Sequence, residues 1–359
     1  MTTTRGADDG EGCGAVDRVL LASPRSFCAG VEMAIKALAW MVRSFDPPVY
    51  CYHAVVHNRL VVERFRQAGV VFVDDIDEVP AGAPVMLSAH GSPPEVERAA
   101  RARSSLVVNA VCPLVRKVHH EIKHRAARGH LVVYAGHQGH DETVGALAVA
   151  PGASHLVQRP ADVAALPVPD MAAGDTPVAF LAQTTLSQDE WSAIYDAAMA
   201  RFGEVRLPRR ADLCFATTNR QAAVRAMAPR CDAVVVVGSS TSANTGALVR
   251  VARAAMEGAA VVLRVDGPDE LPTDLSGTVG VTAGASAAEE AVEHVVARLA
   301  PRRGVEAVEV TTEHEYFPPP GDLRELLRAR GTEQLLDDDA DVAASDVLAA
   351  LVATPAPTH

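Results

Sequence analysis

Short apolar runs recur along the chain with helix-patterned segments between them, and this alternation restricts the fold more than any other feature. The runs are Val19-Leu-Leu-Ala, Val85-Met-Leu-Ser, Leu131-Val-Val-Tyr, Val178-Ala-Phe-Leu, Val234-Val-Val-Val-Gly, Val261-Val-Leu and Val279-Gly-Val. None shows the polar alternation of a half-exposed strand, so both faces must be covered, as in parallel sheets flanked by helices. Residues 31–42, 115–127, 189–201, 245–256 and 287–299 carry apolar side chains at helical spacing. The chain is therefore expected to be α/β, not all-β or a helix bundle. Hydrophobic residues make up 48% and aromatic residues only 4%, so the interiors must be built from Ala, Val and Leu. A length of 359 residues is more than one core needs.

Three segments announce helix starts. Ser92, Ser187 and Ser286 are each followed three residues later by Glu95, Glu190 and Glu289, the pattern of a capping box. In open α/β sheets, ligands bind beyond the carboxyl ends of the strands. The sequence collects small, polar and titratable groups there: Ser88-Ala-His90-Gly91, Gly136-His137-Gln-Gly139-His140-Asp-Glu142, Gln183-Thr184-Thr185, Gly238-Ser-Ser-Thr-Ser242-Ala-Asn244 and Thr282-Ala-Gly284-Ala-Ser286.

Cys28, Cys112 and Cys214 share one context, each standing where an apolar run ends and a helical pattern begins. A helix N-terminus favours negative charge, so a thiol there is expected to have a lowered pKa and to serve as a thiolate ligand. One such cysteine alone would read as an ordinary buried residue. The repeated context points instead to a single three-thiolate site assembled from three lobes, and three thiolates without a fourth suggest iron–sulfur chemistry with an open iron. Their separations of 84 and 102 positions fit lobes of similar size. The expected division is a disordered N-terminal tail 1–17, lobes 18–112, 113–210 and 211–317, and an acidic C-terminal tail 318–359. Cys13, Cys51 and Cys231 lack the shared context.

A net charge of −12 argues against nucleic-acid binding or an anionic membrane surface. Residues 1–14 hold no apolar signal region, and no apolar stretch is long enough to span a bilayer, so a cytoplasmic protein with reduced thiols is expected. Lys36, Lys117 and Lys123 are the only lysines, so an anionic ligand must be held by His, Ser, Asn, Thr and backbone amides. His120-Glu-Ile-Lys-His124 fits a zinc-protease pattern but lacks a third ligand, and its helix is already explained as the one that follows Cys112.

The segments PRSFCAGV, HAVVHN, SAHG, VCPLV, GHQGHDE, QTTLS, DLCFATTNRQ and TAGAS occur in one order. In this the chain resembles the 4-hydroxy-3-methylbut-2-enyl diphosphate reductase family, over residues 19–298 with a weaker echo to about 326. The resemblance implies a trefoil of three α/β lobes around a central cavity. It implies that Cys28, Cys112 and Cys214 hold a 4Fe-4S cluster with one open iron site, which binds the hydroxyl oxygen of an allylic diphosphate. Glu142 and His140 would belong to the proton relay, and Thr184 would hydrogen-bond near the leaving oxygen. His57, His90, Ser242, Asn244 and Ser286 would bind the diphosphate, with His140 and Thr184 also at the substrate. Ferredoxin or flavodoxin would supply electrons, and the products would be isopentenyl and dimethylallyl diphosphate.

The chain departs from the family pattern in three places. Glu142 is followed by Thr143-Val-Gly-Ala, Ala243 replaces a common serine, and Ser26 stands where glycine is usual. Losing one hydroxyl donor to a phosphate costs about 1.5–3 kcal/mol if nothing replaces it. Two alternatives therefore stay open: a paralogue with the same cluster acting on a different allylic or phosphorylated substrate, and a non-catalytic iron–sulfur sensor.

Overall fold

The computed structural model describes residues 16–167, 177–256 and 261–353. The expected tail 1–17 lies outside the described residues except for Val16 and Asp17, which open the first strand. That strand is β1 (Val16–Ser23). One four-stranded sheet holds β2 (Val49–Tyr52), β3 (Val70–Val73), β4 (Val85–Leu87) and β5 (Val107–Asn109) in the order β3-β2-β4-β5. A second holds β6 (Leu131–Ala135), β7 (Ser154–Val157), β8 (Val178–Ala182) and β9 (Val205–Arg206) in the order β7-β6-β8-β9. The third adds β10 (Ala233–Val237), β11 (Val261–Val265), β12 (Gly277–Ala283) and β13 (Val305–Glu309) to β1, in the order β11-β10-β12-β1-β13. Every pairing is parallel. The architecture is α/β and multi-lobed, and β4, β8 and β10 are buried along their whole length, which is why their sequences lack polar alternation.

The expected lobe boundary at residue 18 does not match the sheets. Val19 of β1 pairs with Val279 of β12 on one side and Val305 of β13 on the other, so β1 belongs to the third sheet. The helix after it, Ala29–Ser44, packs instead into the core beneath β2, β4 and β5, with Ile35, Leu38 and Met41 against Val49, Met86 and Val108. Cys28 is therefore the point at which the chain crosses from one lobe to another.

The segment expected to be an acidic tail also folds. Residues 321–330, 334–338 and 344–353 are helical, and Leu323, Leu327, Val347 and Leu348 are buried in the same core as Leu38. Within the acidic run 337–341, Asp339 is only 8% exposed and accepts hydrogen bonds from Trp40 Nε1 at 2.8 Å and Arg43 Nη1 at 2.6 Å. The run's charge concealed the apolar spacing on either side of it. Asp339→Ala strands both donors and is expected to lower stability by about 1–3 kcal/mol. Urea titration would show this as a lower midpoint at unchanged slope.

Only one of the three capping boxes forms. Ser187 Oγ accepts from Glu190 N, and Glu190 Oε2 accepts from Ser187 N. The other two helices begin at Pro94 and Glu289, beyond the expected serines, and Ser92 Oγ has no partner. Glu289 turns to the cysteine loop, where it accepts from Arg25 Nε at 2.9 Å and Ser26 Oγ at 2.6 Å. Ser26 has φ +60°, a left-handed conformation that costs a side-chain-bearing residue energy and explains the glycine usual in the family. Its hydrogen bond to Glu289 offsets part of that cost.

Candidate active site

Cys28, Cys112 and Cys214 occupy the N-cap positions of three helices, Ala29–Ser44, Pro113–Ala126 and Phe215–Met227. All three line one cavity. Each is fastened by its backbone N–H to a neighbouring strand-end loop: Cys28 to Ala285 O at 3.2 Å, Cys112 to Ala89 O at 3.0 Å and Cys214 to Thr184 O at 3.1 Å. The loops that bring in the polar residues thus also fix the cysteines.

The cysteine packing requires Gly30. A Cβ built there would lie 2.8 Å from Cys112 Sγ and 3.9 Å from Cys28 Sγ. Gly30→Ala is expected to displace the Cys112 thiol and to lower iron retained after anaerobic reconstitution at least fivefold, with the circular dichroism spectrum unchanged. Iron content equal to the parent protein would show that the thiol is not held at this contact.

The expectation of acidic thiols is not met at Cys112 and Cys214. Burial pushes Cys112 and Cys214 up to about 12, and outweighs the backbone N–H groups of Leu114 and Val115 at Cys112 and of Thr217 at Cys214. Thr217 N donates to Cys214 Sγ at 3.2 Å, so the helix terminus does act on the sulfur but loses to desolvation. A metal held by these two thiols would therefore displace their protons.

Glu142 is the second residue of the helix Asp141–Val149 and is 3% exposed. Thr184 N donates to its Oε1 at 2.7 Å, and Thr184 Oγ1 donates to its Oε2 at 3.0 Å. Burial, aided by the Asp212 carboxylate, pushes Glu142 up to about 7 against those two hydrogen bonds. His140 caps the same helix by accepting from Glu142 N on Nδ1 at 3.2 Å, and burial pulls its pKa down to about 4.

His57 and His90 stack with ring centroids 4.0 Å apart, and burial lowers the pKa of both. Beside them, burial alone would raise Asp141, but its hydrogen bond from His53 and the fields of His90, His53 and His57 hold it at about 2. On the facing wall, Ser242 caps the helix Ala243–Ala255. Asn244 donates to Thr217 Oγ1 at 3.3 Å and accepts from Ala285 N at 3.0 Å. Ser286 Oγ donates to His57 O at 3.1 Å. Every site residue singled out from the sequence lines this cavity, and no lysine or arginine lines it among the described residues.

Sequence reasoning missed Arg220 and Glu313. Arg220 is wholly buried, pairs with Glu313 at 3.0 Å, and donates to Ser26 O at 2.8 Å, Arg25 O at 3.2 Å and Phe27 O at 3.4 Å. It ties the Cys214 helix to the Cys28 loop. The one local signal was a charged residue flanked at helical spacing by Ala216, Ala223 and Val224.

The model of the LytB protein family matches residues 19–300. The chain belongs to the LytB family. A relative from Mycobacterium bovis named 4-hydroxy-3-methylbut-2-enyl diphosphate reductase 2 is 46% identical over 315 residues, covering 85% of this chain and 94% of that protein. A 4-hydroxy-3-methylbut-2-enyl diphosphate reductase from Rhodopirellula baltica is 45% identical over 257 residues, 72% of this chain and 78% of that one. The solved E-1-hydroxy-2-methyl-but-2-enyl-4-diphosphate reductase from Plasmodium falciparum superposes with a TM-score of 0.83 at 27% identity, over 88% of this chain and 99% of that one. As a LytB protein the chain is an enzyme of the oxidoreductase class. Among the described residues no helix is long and apolar enough to cross a membrane.

Two sets of donors in this LytB chain could hold metal. The donor atoms of His57, His90 and Asp141 lie within 4.8 Å of one another, the spacing of a single-ion site. The other set is the three thiols, which reach the same cavity from three separate helices.

Proposed function

We propose that the protein is a 4-hydroxy-3-methylbut-2-enyl diphosphate reductase built as a trefoil of three lobes. Its reaction breaks the allylic C–O bond, forms a C–H bond and releases water, consuming two electrons and two protons. The products are isopentenyl and dimethylallyl diphosphate. The observation that carries this reading is one cavity bordered by three helix-capping cysteines and a buried carboxyl group that keeps its proton near neutral pH.

The donor set fits a 4Fe-4S cluster. Three free thiols reach the cavity from three separate helices, and the bare face of Gly30 makes room for the Cys112 sulfur. Cys28, Cys112 and Cys214 would hold it, and when bound it supplies electrons one at a time and a Lewis-acidic open iron. Glu142 then delivers a proton to the departing oxygen, and the N–H and hydroxyl of Thr184 keep its carboxyl group aimed. His57, His90, His140, Ser242, Asn244 and Ser286 gather around the diphosphate as neutral donors and hydrogen-bonding groups. Val31, Leu114, Phe215 and Phe317 give the hydrocarbon an apolar wall. Reduced ferredoxin or flavodoxin fits the demand for single electrons.

Anaerobically reconstituted protein given reduced ferredoxin, flavodoxin or dithionite is expected to form both products. An intact cluster without either product would overturn the reading. Ala243 lines the cavity, so the missing hydroxyl lies where phosphate would bind, and this supports a second reading in which a paralogue takes another allylic or phosphorylated substrate. Failure of the allylic diphosphate to perturb the cluster's spectrum would favour that paralogue.

A further inference from the structure

The chain carries a net charge of −12, yet two of its segments run the other way. Residues 113–130 and 203–212 hold eight lysines and arginines against three acidic residues, a net of +5. The fold brings them together. Lys117 Nζ donates to Ala211 O at 2.8 Å and to Asp212 Oδ1 at 3.1 Å, and Arg125 Nη2 donates to Leu207 O at 3.2 Å, so residues 207–212 lie along the helix Pro113–Ala126. That helix buries Val115, Val118 and Ile122 and turns Arg116 and Lys123 to solvent. Glu121, Glu204 and Asp212 are already paired with Arg125, Arg206 and Lys117. Arg116, Lys123, Arg128, Arg209 and Arg210 are exposed and have no carboxylate partner among the described residues. Leu207, 39% exposed, adds an apolar point of contact beside them.

This basic face begins beside two of the three thiols. Arg116 is four residues beyond Cys112 on the helix that Cys112 caps, about 6 Å along its axis. Arg210 is four residues before Cys214, a reach of at most about 14 Å. Near Cys28 the surface has the opposite sign: Glu32, Glu313, Glu315 and Asp339 border the cleft beside Phe27 and Ala29, against the one cation Lys36 among the described residues. Electron transfer weakens steeply with distance, so a donor must dock close to a thiol, and its own charge decides which side it approaches. A positive patch on a negative protein steers an acidic partner toward it and orients that partner on encounter.

We propose that the face formed by Arg116, Arg209, Arg210 and Leu207 is the docking surface for an acidic one-electron carrier protein, which passes one electron to the bound cluster at each of two encounters. The demand for a carrier rests on the functional reading above; the binding of an acidic protein at this face does not.

An acidic 2Fe-2S ferredoxin is the probe, used anaerobically with cluster-loaded protein. Affinity for the oxidised ferredoxin, which needs no substrate, should fall at least tenfold in the combined variant Arg116→Gln, Arg209→Gln, Arg210→Gln. Reduction of the protein's cluster by reduced ferredoxin, followed by stopped-flow absorbance without allylic diphosphate, should slow at least tenfold at low salt. Reduction by dithionite, too small to need a docking face, should change less than threefold. Raising salt from about 20 mM to about 300 mM should remove most of the difference, because the screening length falls from about 20 Å to about 6 Å. Arg302→Gln with Arg303→Gln, exposed arginines beside Val16 and Asp17 at the amino end of β1, should leave affinity and rate unchanged. Iron content and circular dichroism should match the parent in both variants. An unaffected triple variant, equal losses in the control variant, or tighter binding of a random-sequence RNA than of ferredoxin at this face would overturn the proposal. Ferredoxin binding that is lost in the triple variant, in a protein that forms no product, would keep the docking face and sink the functional reading alone.

Discussion

Glu142→Gln should cut product formation by about 10²–10⁴-fold, the range over which a positioned general acid contributes to catalysis. Glutamine has nearly the same shape and can still accept from Thr184 N, so the loss isolates the proton rather than the packing. The pH dependence carries a definite sign. An acid must be protonated to act, and Glu142 keeps its proton up to about 7, so turnover in the parent enzyme should fall as pH rises past that point. Stability should move in the opposite sense to activity in the variant. A carboxyl group whose folded pKa lies above its unfolded value binds more protons folded than unfolded, so the parent protein loses stability as pH rises from about 4.5 to about 7. Glutamine escapes that loss, and the variant should be more stable than the parent at pH 8 by on the order of 1–3 kcal/mol. A variant that is equally active, or whose residual rate falls with the same pH midpoint, would remove Glu142 from the acid role.

Features with local signals were legible in the letters. Apolar runs buried on both faces announced β4, β8 and β10, and the change from apolar run to helical spacing put the three cysteines at helix starts. Strand-end loops of a parallel sheet marked His90, His140, Glu142, Thr184, Ser242, Asn244 and Ser286 as candidates, whereas His57 and the roles of all of them came from the family resemblance. What the letters concealed was competition between distant groups. Val19-Leu-Leu-Ala reads as a buried parallel strand but carries no mark of which sheet receives it, and it joins β12 and β13 from more than 250 positions away. Ser286 and Glu289 satisfy the pattern of a cap, yet Arg25 and Ser26 claim the glutamate. Cys112 and Cys214 illustrate a contest of magnitudes: the helix terminus favours the thiolate locally, while burial opposes it more strongly.

Arg220 is where such a distant competition should be most costly to disturb. Its guanidinium joins three parts of the chain, the Cys214 helix through Ala216 O, the Cys28 loop through the carbonyls of Arg25, Ser26 and Phe27, and the strap that carries Glu313. A buried arginine is tolerable only because all its donors are engaged, and removing one partner of such a pair leaves the other charge unpaired. Arg220→Met should therefore destabilise the protein by about 3–5 kcal/mol in denaturant titrations. Glu313→Gln leaves the carbonyl contacts in place but removes the counter-charge of the buried guanidinium, and should cost less than Arg220→Met, about 1.5–3 kcal/mol. Arg220→Lys separates charge from geometry, since a single ammonium cannot span the carbonyls that the planar fork reaches. Lysine should recover part of the stability but not the placement of the Cys28 loop, so iron retained per chain should stay well below that of the parent enzyme while circular dichroism is restored. Full iron retention in the lysine variant would mean that the charge alone holds the loop, and that the fan of hydrogen bonds to residues 25–27 is a consequence of the fold and not its fastening.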